Sequence, residues 1–544
     1  MFNSDWDQTR DLYKSWVSNW HIESGLNEIL RFRDYPLWHS SRLILKDTIV
    51  DYAWYKEIHN RLSFKPISKF RLLADFTIYT ALVLNSFRYI LFYILLKFIP
   101  SNRATLAERT VWFSCLDYNL IDRPIVGFCD RHYVGTPFLG TQFNFNSAYL
   151  IRLSLPRFKE ILFPWVYINR VNSIIDRSKL DVHFLDKNLR LRDVLAVFSG
   201  LLFNYYKFTL FRSNYHKHRA LIKGIEITDV VYHEIQASFV NNFPWALLTA
   251  CMYNNWGVSV EKPQTVITYS ETLAPFRATY FFTRKSSSQI LWISIQHSIN
   301  YLNKLMMCPD SSEFNFPNTL GTEVSLLLPD YYFIHGKFFY DILSSFFPLQ
   351  HIRVIGCLKN DLLFSLQRKT NSIGFSTVSS RILLIVPSIG DEYRLLNLFS
   401  GIHYLPGWSV LLSKHPASSY EFLDIVKNNC NVLIPIEFCN HKSTIELALE
   451  SDLVLSSYSS VGIESLLLGV QSLRCIDPSL PPLIDAEPGI PYISTQPEFI
   501  NFLSSFNSDP GLTVLQKATI YNYFYKFDGL AGFRFWKELM LLIN

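Results

Sequence analysis

The chain has 544 residues, with 49% hydrophobic and 16% aromatic residues against 18% charged ones. This is too long for one compact core, so it implies two or three domains, and it is too apolar for a disordered chain. The formal net charge of +5 is spread thinly, without a long Lys/Arg block of the kind that tracks a phosphate backbone, so nucleic acid is not expected as a partner.

The amino terminus, "MFNSDWDQTRDLYKSW", lacks the basic start and apolar core of a secretory signal, and a cytoplasmic protein is expected. Asp5-Trp6-Asp7 has the DxD spacing of metal-dependent transferases. No strand precedes it, and carboxylate ligands need a rigid scaffold, so no metal site is expected there. Residues 1–110 read as a mainly helical extension.

Within that extension, Arg71–Pro100 is long enough to cross a bilayer. Asp75, Arg88 and Lys97 interrupt it, and its longest charge-free run, Phe76–Phe87, is well short of the roughly 20 residues a span needs. It is expected to be a buried or amphipathic helix. The alternative is a helix lying on a membrane surface, with Arg61, Lys65, Lys69 and Arg71 meeting anionic lipid.

From Val111 the pattern changes to short apolar runs ending in small or polar residues: "RPIVGFC" before Asp130, "PQTVITYS" before Glu271, "QILWISIQ" before His297, then "DYYFIHG" and "IRVIG". Helical stretches such as "APFRATYFFTRK" separate several of them, which predicts a parallel sheet covered by helices over 111–370. The polar stretch Arg368–Ser380 reads as a linker. Beyond it, over 381–544, "RILLIVP", "WSVLLS", "NVLIPI", "DLVLS" and "VQSLRCI" alternate with helices, as in a doubly wound α/β domain. The fold class is thus α/β, with two Rossmann-like domains after a helical extension. Eight cysteines (Cys115, Cys129, Cys251, Cys308, Cys357, Cys430, Cys439, Cys475) show no CxxC pair and no histidine at zinc-ligand spacing, and read as reduced, mostly buried thiols.

Ligands of open parallel sheets bind outside the carboxyl ends of the strands. His415 follows "WSVLLSK", and Ser456, Ser457, Ser459 and Ser460 follow "DLVL", so both groups are expected at that edge on adjacent strands. The helix after Ser460 offers backbone N–H groups to an anion, the serine hydroxyls can cap it or donate to a phosphate, and a histidine can supply a proton or positive charge. Glu464, one turn in, is placed to accept from ribose hydroxyls. Together these read as a nucleotide-phosphate site, although Ser-Ser before a helix is by itself an ordinary cap and His-Pro an ordinary loop.

On these residues the C-terminal half resembles the nucleotide-binding domain of GT-B glycosyltransferases, in particular the bacterial polysialyltransferase, sialyltransferase and Kdo-transferase group with its HP and SS motifs. The resemblance implies that His415, Pro416, Ser459 and Ser460 hold the phosphate and ribose of a CMP-sugar. "SDLVLSSYSSVGIESLLLG" is also similar to CDP-glycerol-type polymer transferases, so the motif leaves the donor open. The order of "QHS", "PDYYFIHGKF" and "IRVIG" resembles that of proteins of bacterial surface carbohydrate biosynthesis. The sequence departs from those families in having Gln296-His297-Ser298 where many carry Gln-His-Gly, and in lacking a sialyltransferase-type acidic base motif.

The base is therefore sought at the rim of the N-terminal domain. His297 comes first because imidazole works near neutral pH; Glu271 is second, and Asp130, Arg131 and His132 form a third possibility. The expected function is metal-independent transfer of a sugar from a nucleotide donor, CMP-linked, to a glycan or lipid-linked glycan in surface polysaccharide assembly. No cofactor is expected beyond the donor, and the location is the cytoplasm or the inner membrane face. Two alternatives remain: a CDP-polyol phosphotransferase, and a non-catalytic nucleotide- or sugar-binding member of an assembly complex.

Overall fold

The computed structural model describes residues 15–41, 43, 71–99, 110–123, 127–214, 218–222, 225–260, 262–269, 274–286, 289–297, 325–370, 381–388, 391–414, 418–439, 442–476, 487–507 and 512–543. Seven strands form one parallel sheet: β1 (Thr110–Leu116), β2 (Asn146–Arg152), β3 (Asp181–Phe184), β4 (Gln264–Thr268), β5 (Ile290–Ile295), β6 (Tyr331–Ile334) and β7 (Ile352–Val354). They lie in the order β7-β6-β5-β4-β1-β2-β3. A second parallel sheet contains β8 (Arg381–Val386), β9 (Trp408–Leu412), β10 (Ile436–Phe438), β11 (Leu453–Ser456), β12 (Gln471–Cys475) and β13 (Tyr492–Ile493), in the order β10-β9-β8-β11-β12-β13.

Counted within its own sheet, each follows the order 3-2-1-4-5-6, and the first adds a seventh strand at its edge. The direction of winding reverses between β1 and β4 and between β8 and β11, where such sheets open a ligand crevice. The fold class expected from the sequence, two doubly wound α/β units, is the one observed.

These strands read as unbroken apolar runs because helices cover both sheet faces. In β8, Leu383 and Ile385 join one core cluster, while Leu384 and Val386 join the cluster on the opposite face. The first sheet has a core that also takes in Val17, Trp20, Leu82 and Phe92, so the N-terminal helical region packs as part of that unit. The last helix, Ala531–Ile543, returns to the same core through Phe535, Trp536 and Leu539. Its first turn is held by the Asp361 carboxylate, which accepts the N–H groups of Ala531 (3.0 Å) and Gly532 (2.8 Å).

Some local expectations are corrected. The described residues of "RPIVGFC" lie not in the parallel sheet but in a separate hairpin, where Gly127–Asp130 pairs antiparallel with Leu120–Arg123. In "NVLIPI" the strand begins only at Ile436, and the preceding Val432 makes an isolated bridge to Ser400. The helix Asn360–Thr370 runs into the stretch read as a linker, whose remainder, 371–380, lies outside the described residues. Among the described residues no cysteine is in a disulfide.

Candidate active site

At the second switch point, β11 ends beside β8 with Ser456 opposite Val386. Ser457–Ser460 then turn into helix α1 (Val461–Leu467). Two buried charged groups brace this loop. From the β8 side, the Asp391 carboxylate accepts the Ser457 hydroxyl and the Tyr458 N–H, and burial raises its pKa. From β12, the Arg474 guanidinium donates to Ser456 Oγ (2.8 Å) and to the carbonyls of Ser457 (2.8 Å) and Ser459 (2.7 Å).

The remaining Arg474 donors fork onto Glu487 at 2.9 Å each, and both side chains are only 2% exposed. A charge this deep is tolerable only with such a partner. Gly462 closes the packing, since a Cβ there would collide with the Arg474 guanidinium and Ser456 Oγ. The result is a fixed loop with half-buried Ser459 and Ser460 at its rim. The Ser460 side chain makes no capping hydrogen bond. The N–H groups of Gly462 and Ile463 already donate to the Ser459 and Ser460 carbonyls, so the serine hydroxyls, more than the short helix, are the groups a phosphate could meet.

The first sheet has a matching edge. Tyr133 bridges its switch point, donating from its hydroxyl toward Ser114 O on β1 (2.7 Å) and Ile267 O on β4 (3.0 Å). Asp130, fully buried, accepts the backbone N–H groups of His132 (2.8 Å) and Tyr133 (3.3 Å), fixing the main chain at His132. The His132 ring lies 4.6 Å from the Tyr269 ring and 5.2 Å from the His297 ring, between centroids. Burial holds the Tyr269 hydroxyl well above its usual pKa, so it remains a phenol, and it accepts from Asn119 Nδ2 and the Leu116 N–H. Arg131 Nε donates to His132 Nε2 at 3.1 Å, which occupies the lone pair that ring would use as a base. His297 stands half-buried just past β5.

The two edges are joined by side chains. Past β6, His335 is buried, its N–H donates to Gln296 Oε1 (2.9 Å), and burial lowers its imidazole pKa to about 3. Lys359 and His297 both act electrostatically on that ring. Lys359 in turn pairs with Glu464 of α1, whose side chain is 6% exposed. A polar seam thus runs from His132 and His297 through Lys359 to the second sheet.

The structure therefore brings His297 and His132 together, with Asp130 fixing the main chain at His132, and places Ser459 and Ser460 on a braced rim. Glu464 lies beside them, engaged by Lys359. Glu271, His415, Pro416 and Asp5–Asp7 lie outside the described residues. The expectation that the His-Pro and serine groups follow adjacent strands is corrected: β8 lies between β9 and β11. His335, Lys359, Asp391, Arg474 and Glu487 were missed by sequence reasoning. The signal for Arg474 was present, since a charge inside "VQSLRCI" demands a buried partner. Among the described residues no group of three or more His, Cys, Asp or Glu could hold a metal ion.

Paired sheets of 3-2-1-4-5-6 order, with polar residues gathered at both switch points, define a protein of the two-unit Rossmann-like class. No protein-family model matches the sequence, and no curated protein matches it. Among solved structures, the chain is similar to a UDP-GlcNAc 2-epimerase from Neisseria meningitidis bound to UDP-GlcNAc, at 12% identity and TM-score 0.42, over 80% of this chain and 100% of that one. A putative UDP-N-acetylglucosamine 2-epimerase from Listeria monocytogenes gives 13% identity and TM-score 0.41, over 80% and 96%. A variant of the wall teichoic acid polymerase TagF gives 12% identity and TM-score 0.38, over 80% and 88%. At such scores these likenesses carry nothing about what this chain binds.

Proposed function

We propose that the chain is a metal-independent glycosyltransferase of bacterial surface polysaccharide assembly, taking a sugar from a CMP-linked donor. The observation that supports this best is the seam itself: a braced serine rim on one sheet edge is linked through Glu464, Lys359 and His335 to a histidine pair on the other, which suits a two-substrate transfer. Ser459 and Ser460 would donate to the donor phosphate. An acceptor hydroxyl would attack the anomeric carbon as the carbon–oxygen bond to phosphate breaks, with the nucleotide leaving on its electron pair and His297 taking the hydroxyl proton.

His297 is favoured over His132 because the latter's Nε2 already accepts from Arg131. His297→Ala is expected to retain nucleotide binding and lose transfer by a factor on the order of 10² to 10⁴. Transfer at the parental rate would reject the role. The resemblance of "SDLVLSSYSSVGIESLLLG" to CDP-glycerol-type transferases supports a second reading, transfer of a polyol phosphate. Phosphorus analysis of the polymeric product separates the two, since only the second leaves phosphorus in the chain.

A further inference from the structure

The helix Arg71–Leu96 has two faces of unusual character. One is buried: Leu82, Tyr89, Phe92 and Leu96 enter the core of the first sheet. Opposite them Phe76, Val83, Leu84, Phe87, Leu91 and Ile94 all face outward, with Leu84 62% and Phe87 59% exposed. At 100° per residue these positions fall in one stripe, and no charged side chain interrupts it. Phe98, 65% exposed, extends it.

Beside the stripe's carboxyl end, the turn into the helix Pro164–Arg177 exposes Phe163 and Trp165. An apolar groove lined by Leu91, Ile94, Leu95, Phe98, Pro164 and Trp165 joins the two. A soluble surface helix places polar residues where this one has Phe and Leu, so the face needs an apolar partner.

The surrounding charge points to the occupant. Lys97, next in sequence to the groove residue Phe98, and Arg157 and Lys159, just before the groove residues Ile161 and Pro164, are exposed, and Arg88 reaches from the helix to Pro156 O (3.1 Å). Within 76–99 and 157–170 the only acid is Glu160, which is buried and paired with Arg170. Aromatic and aliphatic side chains in a basic rim, on a helix lying flat against its own protein, match an anionic lipid surface.

Spanning is a poorer fit, although this helix and Leu191–Ser213 are both long and apolar enough to cross a membrane. The two pack together inside the protein: Asp75 pairs with Arg212 and accepts from the Tyr205 hydroxyl (2.6 Å), and the Tyr89 and Phe198 rings lie 5.7 Å apart. Crossing would tear this face from its core.

We propose that this face docks the protein peripherally on an anionic bilayer, with the Phe76–Phe98 stripe and Trp165 at the lipid boundary. The test is sedimentation of the full chain, without nucleotide, with vesicles of phosphatidylglycerol and phosphatidylcholine or of phosphatidylcholine alone. At low salt the parent should pellet with the anionic vesicles, less with the neutral ones, and be released by salt. The double variant Phe87→Ser/Phe98→Ser should lower the partition coefficient by roughly tenfold or more while keeping the parental melting temperature, since both side chains are exposed. Lys97→Glu/Lys159→Glu should remove the preference for anionic lipid.

A parent that pellets with neither vesicle at low salt, or parental partition in both variants, overturns the proposal. So does a parental dimer that Phe87→Ser/Phe98→Ser dissociates in the absence of lipid, which would give the face to a second copy. No nucleotide enters the measurement, so its outcome is independent of the donor-site reading.

Discussion

Arg474 is a charge set in the middle of an apolar strand, and its guanidinium makes two hydrogen bonds to one carboxylate and three, all from Nη1, to acceptors of the serine loop. Lysine carries the charge but not the fork, so Arg474→Lys should keep the fold yet loosen the rim. Nucleotide affinity by calorimetric titration is expected to fall about tenfold, ~1.4 kcal/mol. Arg474→Ala strands Glu487 and should cost about 3–5 kcal/mol of stability in thermal or urea melts. Parental affinity in the lysine variant would mean that the loop does not depend on its brace. At this scale the sequence was only partly legible. Ser459, Ser460 and His297 could be picked out because they follow apolar runs, whereas Asp391 and Glu487 matter only through contacts with Ser457 and Arg474 that spacing cannot reveal.

Among elements, the last helix shows how a distant segment is held. Asp361 accepts two of the N–H groups that a helix start leaves without an intrahelical partner, and its negative charge suits the positive end of the helix dipole. Asp361→Ala should therefore cost about 1–2 kcal/mol and speed hydrogen exchange in 531–543 before the rest of the core. Exchange rates there equal to the parent would contradict this. The alternation of strand and helix was legible because both faces of each sheet are buried, which turns strands into continuous apolar runs. The hairpin Leu120–Arg123/Gly127–Asp130 was misread as a sheet strand because an apolar run does not show what it pairs with. The return of the last helix to the first core was equally hidden, since it depends on Trp536 and Asp361 meeting partners far away in sequence.

At the scale of the molecule, four of the described histidines in the first unit, the buried His21, His39 and His335 and the half-buried His183, have lowered pKa values. Burial lowers His21 and His335 to about 3 and His183 to about 4, and holds His39 well below its ordinary value. Each is neutral in the folded chain and charged in the unfolded one between those values and 6.5, so the unfolded state binds more protons there. Stability is then complete above pH 6.5 and lost as pH falls, by on the order of 1.4 kcal/mol per pH unit for each histidine well inside the window. Tryptophan fluorescence, dominated by the first unit, should show urea midpoints falling steadily from pH 6.5 toward 4; a flat profile would contradict the buried neutral assignment. Asp361 and Asp391, whose pKa values burial raises, act in the opposite sense, because the folded chain holds their protons more tightly than the unfolded one.

The two units meet through Lys359 and Glu464, and the account rests on a nucleotide seated beside that contact on the Ser459/Ser460 rim. The direct measurement is calorimetric titration of the full chain with CMP and CDP, alongside Ser459→Ala/Ser460→Ala. The account predicts saturable binding by the parent and a loss of roughly tenfold or more in the variant with the melting temperature of the free protein unchanged. No binding of either nucleotide by the parent, or parental affinity in the variant, would contradict it.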